Sequence, residues 1–278
     1  MFKVILISCC LALGAYNASA IDSTYSKITF EILPDHKLIP IFAADGRAHR
    51  LSALNILGGN DFVGSMGGIF PIVNVKHSEH ILQFSAASSL YTTLKRYIDH
   101  GILFNVDFFV DLYFDYQINK NFFIRTGAGH TSQHLSDDGS AYRVPINYVR
   151  DYVELVCYYK LPQKHLGIYA GYFLNHNLKT TDATKSYNYS GQPLLQFGFE
   201  HAPFSISEHG RFFYALDLKF RGELDYRVTR NFLSGIRFSK PDGRSIRLAY
   251  NMSGGPDERG QLYTNNHLFY GVGVYLEF

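Results

Sequence analysis

The chain has 278 residues, of which 46% are hydrophobic and 16% aromatic, with a formal net charge of +2. A near-neutral balance excludes the broad basic field of a nucleic-acid binder. Mean hydropathy is only −0.08, and no run after the N-terminus is long and apolar enough for a membrane-spanning helix. A chain this rich in apolar residues without such runs hides them by alternation, as strands do.

Met1–Ala20 carries one basic residue, Lys3, then an apolar run from Val4 to Ala15 and the small residues Ala18, Ser19 and Ala20. This is the layout of a secretory signal peptide cut after Ala20. Cleavage removes Cys9 and Cys10, which leaves Cys157 unpaired and lowers the net charge to about +1. Exported chains usually rely on paired cysteines when small, so this one must be held together otherwise. Residues 21–39 fit no strand pattern well and are expected to form a periplasmic strap, a plug or an extra strand. Residues 40–278 read as one barrel domain.

Twelve segments alternate in polarity. They run near Pro40–Leu54, Asp61–Val73, His80–Tyr91, Ile102–Gln117, Asn121–Ser132, Tyr148–Lys160, His165–Asn175, Gln192–Ala202, Arg211–Gly222, Tyr226–Ser239, Gly243–Ser253 and Asn266–Phe278. In the clearest, the even positions from Ile102 to Tyr116 are all apolar, while Asn105, Asp107, Asp111 and Asp115 occupy odd ones. Globular strands average about half that length; tilted strands crossing a bilayer need about ten residues. A soluble β-protein would keep its charges outside, whereas a membrane barrel puts them in the lumen. The expected fold is therefore an all-β transmembrane antiparallel barrel of about twelve strands. Phe104, Val106, Phe108, Leu216, Leu218 and Val272 should lie on its outer wall.

Tight turns at Ile118-Asn119-Lys120, Leu161–Lys164 and Lys240-Pro241-Asp242 alternate with long polar connections at Gln133–Asn147, Asn175–Gly191 and Gly254–Asn265. Only the short Glu223–Asp225 link breaks the alternation. With short turns periplasmic, both termini fall in the periplasm. The last strand alternates Leu268, Tyr270, Val272, Val274, Leu276, Phe278. It resembles the terminal signature by which bacterial outer-membrane barrels are recognised for insertion, which implies the barrel-assembly machinery as a partner through Phe278.

The lumen should carry Asp107, Asp111 and Asp115 from one strand, and Arg125, Arg150, Arg247 and Lys219 from others. Two readings follow: a paired network that fills a narrow barrel, or charged rings that select a solute in a narrow channel. Barrels near this size leave little open lumen.

A third group stands at the rim, in Gly129-His130-Thr131-Ser132-Gln133-His134-Leu135-Ser136-Asp137-Asp138. His130 and Ser132 share the outward phase, so the imidazole can serve the hydroxyl as general base. Asn147 or Asp151 of the next strand would orient it. His130, His134, Asp137 and Asp138 are also acceptable metal-ligand types, though a solvated loop explains them as well. Asp137 and Asp138 could share a divalent cation with lipopolysaccharide phosphates. The His-x-Ser pattern is similar to that of outer-membrane phospholipase A and lipid A 3-O-deacylase, which implies serine attack on a lipid acyl ester. The chain departs from both at Gln133, where they carry Asn, and at Val144, where their orienting residue stands.

Pro40-Ile41-Phe42-Ala43-Ala44-Asp45-Gly46-Arg47, the rim motif His130–Asp138 and Ile146-Asn147-Tyr148-Val149-Arg150 together resemble an uncharacterised bacterial outer-membrane family, a domain of unknown function. The resemblance runs from about Pro40 to Phe278. It implies a barrel in the outer membrane in contact with membrane lipid and lipopolysaccharide, and it implies no reaction, ligand or cofactor.

Overall fold

The computed structural model describes residues 27–97, 99–181, 185–240 and 243–278. The expected signal peptide and the Pro241-Asp242 turn centre lie outside these residues.

Among the described residues fourteen strands form one antiparallel sheet. They are β1 (Thr29–Ile32), β2 (Leu51–Ile56), β3 (Asp61–His77), β4 (His80–Arg96), β5 (Gly101–Gln117), β6 (Phe122–Leu135), β7 (Asn147–Leu161), β8 (Leu166–Thr181), β9 (Ser186–Asn188), β10 (Pro193–Ser205), β11 (Gly210–Arg221), β12 (Arg227–Ser239), β13 (Ser245–Pro256) and β14 (Asn266–Glu277). Twelve close into a barrel. Each pairs with its neighbour in the chain, β8 with β10 across the β9 flap, and β2 joins β14 to β3 (Ala53 opposite Val274, Ser52 opposite Ser65). Closure covers the sheet edges except on β3, which β2 covers up to Ser65 and β1 covers again from Val73.

The wall is inverted relative to a soluble protein. On β13, Ile246, Leu248, Tyr250 and Met252 are exposed while Arg247, Ala249, Asn251 and Ser253 are buried. Phe108, Val110, Leu112, Phe114 and Val272 are exposed, and Asp107, Asp111, Asp115 and Asp217 are at most 1% exposed. Apolar side chains outside and carboxylates inside suit hydrocarbon around the barrel, and this is a transmembrane β-barrel. Replacing Val110, at the middle of β5, by arginine is expected to destabilise the barrel in a bilayer by about 2–4 kcal/mol. Urea unfolding from lipid vesicles measures this directly. An unchanged midpoint would mean that this face does not meet lipid.

Of the six positions expected outside, Phe104 departs. The β4–β5 register shifts between Thr93, opposite Asn105, and Leu94, opposite Leu103. Phe104 is the extra residue of that bulge, and an inserted residue breaks the alternation. Its side chain is 5% exposed, under the Lys95 ammonium 4.9 Å from the ring centroid. The other five lie on the outer wall.

The largest difference is at the N-terminal side. Of the expected strand Pro40–Leu54 only the last four residues enter the sheet, as the start of β2. β1 pairs with the far end of β3, from Thr29 opposite Lys76 to Ile32 opposite Val73. Between β1 and β2 the chain leaves the wall and runs through the lumen. Ile39, Ile41, Ala43, Ala44, Ala48, His49 and Arg50 are buried there. Two tight turns, Asp45 N–H to Phe42 O and Ala48 N–H to Asp45 O, fold it back on itself. Small wall residues make the room: Ala43 and Ala44 pack on Ala202, Ala215 and Ala249, and Ala48 packs near Ala87.

Candidate functional site

The candidate site is the lumen, which two stretches of chain enter. One is the inserted segment just described. The other is the connection between β13 and β14, whose 3-10 turn Gly260–Leu262 dips into the barrel mouth. Gln261 is fully buried there; its amide donates to the Gln133 carbonyl (2.9 Å) and to that of Ile146, and its oxygen accepts from Ile146 N–H (2.9 Å). Tyr263 packs on Tyr148, with ring centroids 5.4 Å apart. Arg259 pairs with Asp257 (2.6 Å) and with Asp61 at the start of β3 (3.2 Å).

Both stretches meet at Lys219 on β11. Its ammonium lies 2.5 Å from Asp45 Oδ1 of the inserted segment and 2.5 Å from Glu258 Oε1 of the mouth connection. Gly46 permits this approach, because a Cβ there would stand 2.2 Å from Glu258 Oε2. Gln196 donates to Asp45 (3.1 Å) and Asn231 to Glu258 (2.9 Å), so each carboxylate has a second partner. Burial pushes the Asp45 carboxyl up, but the Lys219 charge outweighs it and holds the group down at about 2. Burial and the same ammonium oppose each other at Glu258, and the net result is below the ordinary carboxylate range.

Beside this junction the inserted segment grips β5. Arg47 pairs with Asp107 (3.3 Å) and lies over the Tyr91 ring. His49 Nε2 lies 2.6 Å from Asp111 Oδ2, and its Nδ1 lies 3.0 Å from Ser89 Oγ. Tyr152 donates to the other oxygen of Asp111 (2.5 Å). Gly129 leaves space for this contact, since a Cβ would fall 1.9 Å from Asp111 Oδ1. Lower on the same strand, Asp115 stands opposite Arg125 of β6 and takes a bidentate pair at 2.7 and 2.8 Å.

The structure thus places Asp107, Asp111 and Asp115 in the lumen, and of the cations named in the sequence only Arg125 pairs with one of them. Arg125 meets Asp115; Arg47 and His49 meet the other two. Arg247 instead pairs with Glu277 and, at 3.2 Å, with Glu200. Among the described residues Arg150 forms no ion pair, and it lies 4.2 Å over the Tyr152 ring. Asp45, Arg47, His49 and Glu258 were missed as site residues. The Asp45-Gly46 pair in the middle of an expected strand was the available signal, because it is turn chemistry.

The rim residues gather on the outer wall near the long connections. His130 Nδ1 lies 2.6 Å from Asp151 Oδ1 on β7, directly opposite, and Asn177 of β8 donates to Asp151 (2.9 Å). The Ser132 hydroxyl lies 2.6 Å from His134 Nε2, so His134 rather than His130 is its hydrogen-bond partner. Asn147 stands at the start of β7 opposite Thr181 and makes no hydrogen bond to His130. Asp137 and Asp138 lie on α1 (Asp137–Ser140), capped by the Ser136 hydroxyl. Among the described residues no group of three or more His, Cys, Asp and Glu side chains is placed to hold a metal.

A closed barrel with an apolar wall and a charged, chain-filled lumen defines an integral membrane barrel. The chain belongs to the family described as a protein of unknown function, DUF1207, whose profile matches residues 19–278. No curated protein matches it. Among solved structures it is similar to the KdgM porin (11% identity, TM-score 0.46, covering 83% of this chain and 98% of that one). It is also similar to the NanC porin (11% identity, TM-score 0.44, 83% and 99%) and to the β domain of the Bordetella autotransporter BrkA (12% identity, TM-score 0.42, 82% and 96%).

Proposed function

We propose that this protein is an outer-membrane barrel that is closed by its own chain and serves as a binding or structural element rather than as an open pore. The carrying observation is the junction at Lys219, where one ammonium holds two separate luminal stretches, at Asp45 and at Glu258. In this reading the short turns face the periplasm, the outer wall meets outer-membrane lipid and lipopolysaccharide, and the strand ending at Phe278 engages the assembly machinery. Liposome swelling tests it. Vesicles carrying the protein should be no more permeable to arabinose than empty vesicles. Swelling at the rate of an open porin would favour the narrow solute channel instead.

One observation favours a second reading, a lipid acyl hydrolase. The Ser132 hydroxyl and His134 imidazole are in hydrogen-bond contact on the outer wall, the arrangement a serine nucleophile and its base require. Here His134 takes the role first given to His130, while His130 is engaged by Asp151. Serine attack on an ester carbonyl would pass its proton to His134 and release the alcohol, and water would then free the fatty acid. Lipid mass spectrometry of membranes containing wild type or Ser132→Ala decides the matter: loss of a lyso-lipid product in the variant supports hydrolysis, and identical profiles remove it.

A further inference from the structure

The pairing of luminal charges is nearly complete, and what it leaves over is specific. Arg47, Lys219, Arg221, Arg125 and Arg259 each have a carboxylate partner. Arg50 is satisfied by the carbonyls of Ala43 and Asp45; among the described residues Arg150 and Glu154 have no ionic partner, and they do not pair with each other. Both sit on β7, four residues apart on the luminal face, and both line one cavity of about 130 Å³. The strand register explains why they stay single. Arg150 stands between Thr131 and Leu178, and Glu154 between Gly127 and Phe173, so neither has a charge directly opposite, and the diagonal neighbour of Glu154, Arg125, is taken by Asp115.

Their spacing is informative. The Arg150 guanidinium lies over Tyr152, 4.2 Å from the ring centroid, and its Nε is buried without a hydrogen-bond partner. The charge is therefore level with Tyr152, about two residues or roughly 7 Å along the strand from Glu154. An α-amino acid holds its ammonium and carboxylate about 3 Å apart, and one charge-assisted hydrogen bond at each end extends this to roughly 8 Å. Phe173 and Tyr113 give the cavity aromatic walls for a short apolar side chain. A volume of about 130 Å³ accommodates a solute of this size.

We propose that this cavity binds a small zwitterionic amino acid, with its carboxylate on Arg150 and its ammonium on Glu154. This assignment rests on the reading of the lumen as a closed, binding interior. The solute supplies the two countercharges that the fold withholds, which are costly to omit in a buried site.

The test is isothermal titration calorimetry on the detergent-solubilised full chain with three probes: L-alanine, alaninamide without the carboxylate, and N-acetylalanine without the ammonium. L-alanine should bind, and each analogue should bind at least about tenfold more weakly. Arg150→Gln should abolish the preference over alaninamide, and Glu154→Gln the preference over N-acetylalanine. Heat-modifiable migration in SDS gels shows whether each variant is folded, and the analogue comparison needs no variant. Absence of heat with L-alanine overturns the proposal and leaves a cavity holding water only. Equal binding of L-alanine and N-acetylalanine also overturns it, in favour of a simple anion site. Conductance separates this from the parent reading: a silent barrel that binds no L-alanine refutes the site alone, and a conducting one refutes closure.

Discussion

Lys219→Ala should open the barrel. The lysine is the shared countercharge of Asp45 and Glu258 and the nearest cation to fully buried Asp217, so its removal leaves two half-buried carboxylates facing each other across Gly46 and a third unpaired in the wall. Breaking a buried ion pair from one side costs about 3–5 kcal/mol, which is a shift of roughly a hundred- to a thousandfold or more in favour of expelling one stretch. The variant should keep the heat-modifiable migration of a folded barrel, since the wall remains, yet show conductance steps in planar bilayers. Replacing the whole junction with neutral groups, Asp45→Asn, Asp217→Asn, Lys219→Met and Glu258→Gln, should stay silent, because no uncompensated charge remains. A silent single variant would show that the junction does not hold the insertions. The pH dependence has a definite sign. Asp45 is depressed from 3.8 to about 2 by Lys219 acting against burial. Its contribution is fully present above its ordinary value and is lost as pH falls through about 2. Closure should therefore persist at pH 5 and weaken only in strong acid.

Arg125→Met should have a comparable effect on stability. Asp115 is 1% exposed and receives both bonds of the Arg125 fork, and the guanidinium carbon is also 4.0 Å from the Tyr113 ring centroid. Taking the arginine away leaves a carboxylate buried and unpaired, a loss of about 3–5 kcal/mol. Asp115→Asn together with Arg125→Met should recover most of that loss, because the pair is removed as a unit. Urea unfolding from lipid vesicles reads both variants. If the single and double variants unfold at the same denaturant concentration, the pair contributes specificity of register rather than stability.

The wall was legible because a strand has period two and lipid demands a wholly apolar face. Ile102–Tyr116 and Ser245–Ser253 could be assigned a membrane side from the sequence alone. The bulge at Phe104 was not legible, since an inserted residue changes the phase without changing composition. The inserted segment was misread for a related reason. Ile39, Ile41 and Ala43 are buried at alternate positions, as in a strand, but against the lumen wall rather than in the sheet. Period two reports an extended chain with one covered face and does not say what covers it. The partners of Asp107 and Asp111 were therefore sought on other strands, whereas Arg47 and His49 of the inserted segment supply them. At the rim the phase of His130 and Ser132 was readable, but the choice between His130 and His134 depends on side-chain torsion, which spacing does not fix.

The central claim is that the chain closes its own lumen, through residues 34–50 and through the connection between β13 and β14. Single-channel recording of the wild-type protein in planar bilayers tests it most directly. The account predicts a baseline without resolved steps at moderate voltage and neutral pH. Stable, ion-selective steps from the unmodified protein would contradict it.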